Sequence, residues 1–359
     1  MKLIMKLLFV NTNIGYGGAS KMMVWVANAL ADRNFNITFL TYRDDTILQP
    51  LSDKVKHIHL PLEPITGKGK GIIESIISIR RLIKKEKFDI AVGFLSPSQL
   101  RLSIACMGLK TKLLFSQRGD PFSNSENSKF LNYLTKWSFQ RADGFVFQTE
   151  GAKSYYPRKI QDRSIVIPNP ITPLKRTCYR NGNIEHRIVN VARLDIKQKR
   201  QDILIDAFNL ISKHYPEYTL NFYGDGPDLE FLREKSHTNP RINFMGKTSD
   251  VVSVLQNACC SVLSSDFEGI PNTLLESMSL GVPSVSTDCS PGGAAMLINS
   301  YVNGILTPRG DAKSLANAIT YIISNPEKAE QMGEKAKEVN TVYSEDKIAQ
   351  QWVDYIKGM

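Results

Sequence analysis

No stretch of the 359 residues approaches the roughly 18–20 consecutive apolar residues that a membrane-crossing helix needs. The opening run Met1–Val10 is interrupted by Lys6 and followed by Asn11-Thr12-Asn13 and glycines instead of a small-residue cleavage site. It therefore reads as a first β-strand and not as a signal peptide, with translation starting at Met1 or Met5. No Asp-x-Asp occurs, so a metal-clamped diphosphate is not indicated, and no metal or cofactor is expected. Cysteine is scarce and odd in number: Cys106, Cys178, Cys259, Cys260 and Cys289 include no Cys-x-x-Cys and fall mostly in apolar runs. They read as core thiols of a reducing, cytoplasmic compartment. Histidine offers no metal spacing beyond His57-x-His59, whose alternation suits a strand better than a ligand pair.

What is present is an ordinary folded chain, 42% apolar and 22% charged, long enough for two domains. Its net charge of +10 is unevenly placed. Residues 1–170 hold 25 Lys and Arg against 13 Asp and Glu, which leaves 20 against 22 for the remainder. Nucleic acid is one partner for so basic a half. An anionic membrane surface, or an acceptor carrying a lipid diphosphate, is another.

The most informative stretch runs from Ser265 to Pro283. The apolar run Cys260–Leu263 leads into the turn Glu268-Gly269-Ile270-Pro271, and a helix follows with Asn272 and Thr273 as its caps. Gly281-Val282-Pro283-Ser284-Val285 reads as the next strand. Backbone N–H groups at such a helix start, with the helix dipole, make a phosphate site. Glu268 and Glu276 stand on either side of it, each able to accept hydrogen bonds from hydroxyls. Two solvated glutamates are the plain alternative for the pair in isolation. In this setting the residues closely resemble the donor-binding signature of the family 4 retaining glycosyltransferases.

Along the chain, Leu7–Val10, the glycine loop Gly15-x-Gly17-Gly18-x-Ser20 and the apolar-periodic Met22–Leu30 give strand, loop and helix. The loop is a near miss to the dinucleotide fingerprint, with Ser in place of the third glycine and Asp44 and Asp45 too far along for the ribose acid. A helix from Ile72 to about Lys87 follows, apolar at Ile72, Ile76, Ile79 and Ile83 and cationic at Arg80, Arg81, Lys84, Lys85 and Lys87. It is either a sheet-packed helix whose cations answer its C-terminal dipole, or a basic rim for membrane lipid. Strands are expected at Phe88–Phe94, Lys112–Gln117 and Gly144–Thr149. Arg118 follows the second of these, where parallel sheets bind ligands, and a salt bridge to Asp120 is its plain alternative. A second strand–helix series starts at Arg187–Ala192 and ends in helices expected over Leu315–Ile323 and Glu327–Tyr343, so two parallel-sheet domains are expected. The boundaries are 1–170, a polar linker 171–186, 187–340, and a final segment 341–359.

The resemblance covers essentially the whole chain and is strongest over 187–311. It implies an α/β chain of two facing Rossmann-like domains, the GT-B type, with the donor site in the cleft and the final helix, with Trp352, packed back on the first domain. It assigns Arg193 and a following lysine to the donor diphosphate. Lys197 and Lys199 compete for that role; Lys199-Arg200-Gln201-Asp202 reads best as the family's Lys-Gly-x-Asp, which selects Lys199. Glu268 would orient the donor sugar and Glu276 the ribose. Gly269, Ile270, Pro271, Asn272 and Thr273 would line the phosphate, and Gly246 the nucleobase. Gly17, Gly18 and Arg118 would face the donor's diphosphate or the acceptor. Met296 stands where the family commonly has Glu.

The implied activity is a retaining, metal-independent transfer of a hexose or N-acetylhexosamine from a nucleotide sugar, UDP-linked by expectation. The acceptor would be a saccharide on a lipid carrier, in envelope or extracellular polysaccharide synthesis at the inner membrane face. A nicotinamide oxidoreductase rests only on Gly15-x-Gly17 and leaves 265–283 unexplained. A nucleic-acid binder would need aromatic-interleaved basic stripes, and none is found.

Overall fold

A computed structural model of the chain describes residues 4–15, 18–43, 49–60, 70–122, 129–172 and 184–359. The chain divides into two compact units. The first comprises Met1–Gly119, Asn124–Ile167 and Ile348–Met359, and the second Asp120–Ser123 and Pro168–Lys347. The changeovers thus fall after Ile167 and Lys347, where residues 170 and 340 were expected. Most of the expected linker, 173–183, lies outside the described residues, as do Gly17, Asp44, Asp45 and Cys178.

The first unit is built on seven parallel strands: β1 (Lys6–Asn11), β2 (Asn36–Thr41), β3 (Val55–His59), β4 (Ile90–Gly93), β5 (Lys112–Gln117), β6 (Gly144–Phe147) and β7 (Ser164–Val166). They lie in the order β3-β2-β1-β4-β5-β6-β7. Continuous apolar runs such as Leu7–Val10 and Phe145–Phe147 are buried along their whole length, as strands covered by helices on both faces require. The core is aromatic: Phe115, Phe139, Phe145 and Phe147 stack or meet edge to face at centroid separations of 5.4–6.3 Å. The final helix, Glu345–Gly358, contributes to this unit from Ile348 on. Its Trp352 stacks on Phe94 at 5.9 Å, and its Tyr355 hydroxyl accepts from the Phe145 N–H at 3.0 Å and donates to the Arg163 carbonyl.

The second unit holds six parallel strands: β8 (Glu185–Val191), β9 (Thr219–Tyr223), β10 (Ile242–Gly246), β11 (Ala258–Leu263), β12 (Ser284–Thr287) and β13 (Ile305–Thr307). Their order is β10-β9-β8-β11-β12-β13, so both sheets have the reversal of a doubly wound fold, at β1/β4 and at β8/β11. Helices Gln201–Ile211 and Ala312–Ser324 pack an aliphatic core of Leu204, Phe208, Leu315 and Ile319 against Ile188, Leu220 and Val262.

Three local expectations are corrected. The strand expected from Gly281 starts at Ser284, because Gly281 closes the preceding helix in the left-handed conformation, φ 79°. The helix expected over 327–343 is two helices, Pro326–Ala336 and Val339–Val342. Asn272 and Thr273 do not cap the helix Asn272–Leu280: Pro271 is its N-cap residue, with no side-chain capping bond. The two side chains are used elsewhere, Asn272 Oδ1 accepting from Asn169 Nδ2 at 2.7 Å and the Thr273 hydroxyl donating to the Val191 carbonyl at 3.1 Å.

Candidate active site

Where the order of a parallel sheet reverses, the loops leaving two adjacent strands run apart and open a crevice at their carboxyl ends. In the second unit those strands are β8 and β11. The loop after β8 carries Arg193 and Lys199, and the loop after β11 carries Glu268.

The first loop is shaped by close backbone packing. Ala192 and Leu194 donate to the carbonyls of Tyr223 and Asp225 at 3.0 and 3.1 Å, so the turn after β9 lies directly on it. That turn has glycine at 224 and 226 because a Cβ there would sit 1.9 Å from the Ala192 oxygen and 2.1 Å from the Leu194 oxygen. Asp195 then caps the short helix Ile196–Lys199 by accepting from the Lys197 N–H, and its carboxylate also pairs with the Arg193 guanidinium. Arg193 remains 60% exposed, Lys197 points to solvent, and Lys199 is drawn inward.

The second loop is held by the segment after β12. The Glu268 N–H donates to the Ser290 carbonyl at 2.7 Å, and the Ser290 N–H to the Asp266 carbonyl at 3.0 Å. A Cβ on Gly293 would lie 1.5 Å from the Gly269 oxygen, so the Glu268–Pro271 turn rests against bare backbone. The helix Asn272–Leu280 starts immediately beyond, its first N–H groups and positive dipole end without a side-chain cap.

The two loops meet in an ion pair between Lys199 Nζ and Glu268 Oε1, whose side chains are 17% and 11% exposed. The Ser265 hydroxyl donates to the same carboxylate oxygen at 2.9 Å. Of the two lysines left in competition by the sequence, Lys199 is the one at the strand reversal. Gly246 ends β10 at φ 76°, and its carbonyl accepts from the Gly224 N–H at 2.8 Å, beside the Arg193 loop. Glu276 is half-buried one turn into the helix. Nearby Cys289 is no nucleophile: burial, with the Glu268 charge adding to it, pushes its thiol up to about 12. Met296, where the resemblance would place Glu, packs among apolar neighbours, and its carbonyl accepts from the Tyr343 hydroxyl at 3.1 Å.

The remaining candidates belong to the first unit. Gly18 begins the helix Gly18–Ala31 in open space, and Ser20 is buried, accepting from Asn11 Nδ2 at 3.2 Å. That buried bond accounts for serine in place of the fingerprint's third glycine. Arg118 follows β5 with its guanidinium over the rings of Phe94 at 5.0 Å and Trp352 at 5.6 Å. Burial pushes its pKa down to about 9. Among the cations of the helix Lys70–Glu86, Arg80 is not available to a partner. Its Nη1 is spent on the carbonyls of Ala105 and Met107, both at 2.7 Å.

Sequence reasoning did not single out Asp195, Asp266, Ser265 or the Gly293 contact. Their roles depend on which loops the sheet order makes neighbours, and nothing local announces it.

The family model Glycosyltransferase Family 4 matches residues 16–173, and Glycosyl transferases group 1 matches 181–339. The protein is a family 4 glycosyltransferase of the GT-B fold. This glycosyltransferase is 25% identical over 354 residues to an uncharacterized glycosyltransferase of Haemophilus influenzae, covering 97% of this chain and 98% of that protein. It is 23% identical over 368 residues to a Campylobacter jejuni enzyme, again covering 98% of each. That enzyme is named GalNAc-alpha-(1->4)-GalNAc-alpha-(1->3)-diNAcBac-PP-undecaprenol alpha-1,4-N-acetyl-D-galactosaminyltransferase. Among solved structures, Anabaena HepE in complex with UDP superposes with a TM-score of 0.79 at 18% identity, covering 99% of this chain and 100% of that one. No group of three or more metal-ligating side chains occurs among the described residues, and no helix there is long and apolar enough to cross a membrane. The nicotinamide and nucleic-acid readings are not favoured.

Proposed function

We propose that this glycosyltransferase moves a hexose or N-acetylhexosamine from a UDP-sugar to a saccharide carried on a lipid diphosphate, with retention at the anomeric carbon and without a metal. The observation that carries the reading is the Lys199–Glu268 pair beside the uncapped start of the helix Asn272–Leu280. In the reaction the bond from the anomeric carbon to the leaving diphosphate breaks and a bond to the acceptor oxygen forms. Negative charge grows on the diphosphate, where Lys199, Arg193 and the helix N–H groups at Asn272 and Thr273 stabilise it. Each such group contributes on the order of 2.7–4 kcal/mol to lowering the barrier. Glu268 accepts hydrogen bonds from the donor sugar and Glu276 from the ribose. The main chain of Gly246 lies against the base, and that of Gly269–Pro271 against the phosphates. Arg118, Gly17 and Gly18 serve the acceptor side. The UDP complex of HepE and the undecaprenol diphosphate in the name of the C. jejuni enzyme support the choice of donor and acceptor class.

A thermal-shift panel of UDP, GDP, ADP and NAD, with and without magnesium, tests the donor. UDP at about 100 times its dissociation constant adds about 2.7 kcal/mol of stability, independent of magnesium. Glu276→Ala folds as the parent does and weakens UDP binding by about tenfold, roughly the 1.4 kcal/mol of one lost hydrogen bond. A shift with NAD alone would sink the donor reading, and unchanged UDP affinity in Glu276→Ala would sink the ribose role.

We further propose peripheral association with anionic membrane through the helix Lys70–Glu86. Its buried side is Ser75, Ile79 and Ile83, while Ile72, Ile73 and Ile77 are exposed, with Arg81, Lys84 and Lys85 further along. Apolar side chains for the acyl boundary and cations for the headgroups are what an interfacial helix needs. Reversing Arg81, Lys84 and Lys85 to Glu abolishes sedimentation with anionic liposomes at low salt. Persistence of binding would show that the helix is not the contact.

A further inference from the structure

Between Lys199 and the helix Gln201–Ile211 the chain makes one left-handed residue, Arg200, at φ 48° and ψ 41°. A residue with a Cβ is disfavoured there, and glycine adopts the conformation freely. What accompanies an arginine at this place is a bond from each of its three guanidinium nitrogens. Nε and Nη2 lie 3.1 Å from the two oxygens of Asp202, and Nη1 lies 3.0 Å from Asp266 Oδ2. Asp202 is in the first turn of the following helix. Asp266 is on the other loop, two residues before Glu268.

Around this fork the two loops are sewn together. The Asp266 N–H donates to the Gln198 carbonyl at 2.9 Å, Gln198 Nε2 to the Phe267 carbonyl at 3.1 Å, and the Ser264 hydroxyl to the Lys199 carbonyl at 2.8 Å. Arg309 Nη1 reaches the Asp266 carbonyl at 3.3 Å. Arg200 is the charged centre of that seam, adjacent in sequence to Lys199 and bonded to the segment that carries Glu268. The bonds to Asp202, with those to Asp266, raise its pKa above the ordinary arginine value, so the fork keeps its charge at any working pH.

We propose that Arg200 is a positioning residue, which through Asp202 and Asp266 sets the separation at which the Lys199 ammonium and the Glu268 carboxylate are presented to the donor. This rests on the donor reading above and adds to it a residue that touches neither phosphate nor sugar. A planar fork holds Asp202 by two parallel bonds while a third nitrogen reaches Asp266, and the single nitrogen of a lysine cannot reproduce that geometry.

UDP binding to the full chain, measured by titration calorimetry beside the melting temperature, tests it. Arg200→Gly suits the backbone and removes only the fork, so the melting temperature stays near that of the parent while UDP affinity falls about tenfold. Arg200→Lys loses as much. Asp266→Asn, which keeps the main-chain bonds, causes the same loss, and combining it with Arg200→Gly causes that loss once. In a Lys199→Ala background Arg200→Gly has no further effect. Parental affinity in Arg200→Gly, or losses that multiply in either double variant, would overturn the positioning role while leaving the donor site standing. A parent chain that binds none of UDP, GDP and ADP would overturn the donor reading, and this role with it.

Discussion

The two units share one order over six strands, which the first extends by a seventh, and use charge in opposite ways. In the first, which carries the chain's whole excess of positive charge, the cation at the end of a central strand, Arg118, lies over aromatic rings, and burial lowers its pKa. In the second, close to neutral, the cations after β8 lie against acids: Arg193 with Asp195, Lys199 with Glu268, and Arg200 with Asp202 and Asp266. Net charge therefore says little about where cations are held at fixed places. Arranging charge for binding takes acids that hold cations at fixed places, and those acids cancel it in the sum. The surplus of the first unit is largely surface lysine and arginine, suited to long-range attraction toward an anionic surface.

Three experiments bear on that contrast. Trp352→Ala removes a fully buried ring from the first unit and one of the two rings over Arg118. A loss of about 3–5 kcal/mol in urea unfolding is expected, with UDP affinity of the folded chain unchanged because the proposed donor residues belong to the second unit. A loss under about 1 kcal/mol would show that the final helix is not part of that core.

Lys199→Ala leaves the Glu268 carboxylate without its cation and takes one charge from the proposed diphosphate site. A drop in transfer rate of about 10²–10³-fold is expected, measured as release of UDP from a UDP-sugar in the presence of acceptor. Lys197→Ala, at an exposed position, lowers it less than about twofold. Equal losses in the two variants would erase the distinction between a lysine held at the strand reversal and one in solvent.

The smallest effect concerns His57 and His59, whose Nε2 and Nδ1 atoms lie 3.1 and 3.0 Å from the Thr41 hydroxyl. Burial first, and then the His59 charge, lower the pKa of His57. A histidine lowered in the fold binds fewer protons there than in the unfolded chain. Its contribution is therefore fully present above its unfolded value of about 6.5 and is lost progressively as pH falls from there through the lower folded value. Unfolding at pH 7.5 and 5.5 checks the sign: the parent chain loses more stability on acidification than His57→Gln does. An equal loss would mean that the lowered His57 makes no pH-dependent contribution to the stability of the first unit.

Much of this could be read from the residues in order. Continuous apolar runs such as Leu7–Val10 and Leu113–Phe115 announced buried parallel strands, and the Glu268-Gly269-Ile270-Pro271 turn announced the loop that leads into the helix Asn272–Leu280. Two of the misreadings were of one kind. Asn272 and Thr273 have the chemistry of caps, yet both reach out of their helix to Asn169 and Val191. Arg80 has the spacing of a surface cation, yet it closes two carbonyls at the end of a neighbouring helix. In each case the side chain had a long-range alternative that local spacing does not contain.

By itself, then, the sequence determined the alternation of strand and helix, the two parallel sheets and the residue types available to a phosphate. Propensity, hydrophobic period and turn chemistry act over a few residues and are written locally. The tertiary structure alone decided who meets whom. Lys199 and Glu268 are 69 positions apart and Thr273 and Val191 82, and they touch because β8 and β11 pair at the centre of the second sheet. Strand order follows from how a whole sheet buries its two faces, a sum over the domain that no short window of sequence contains.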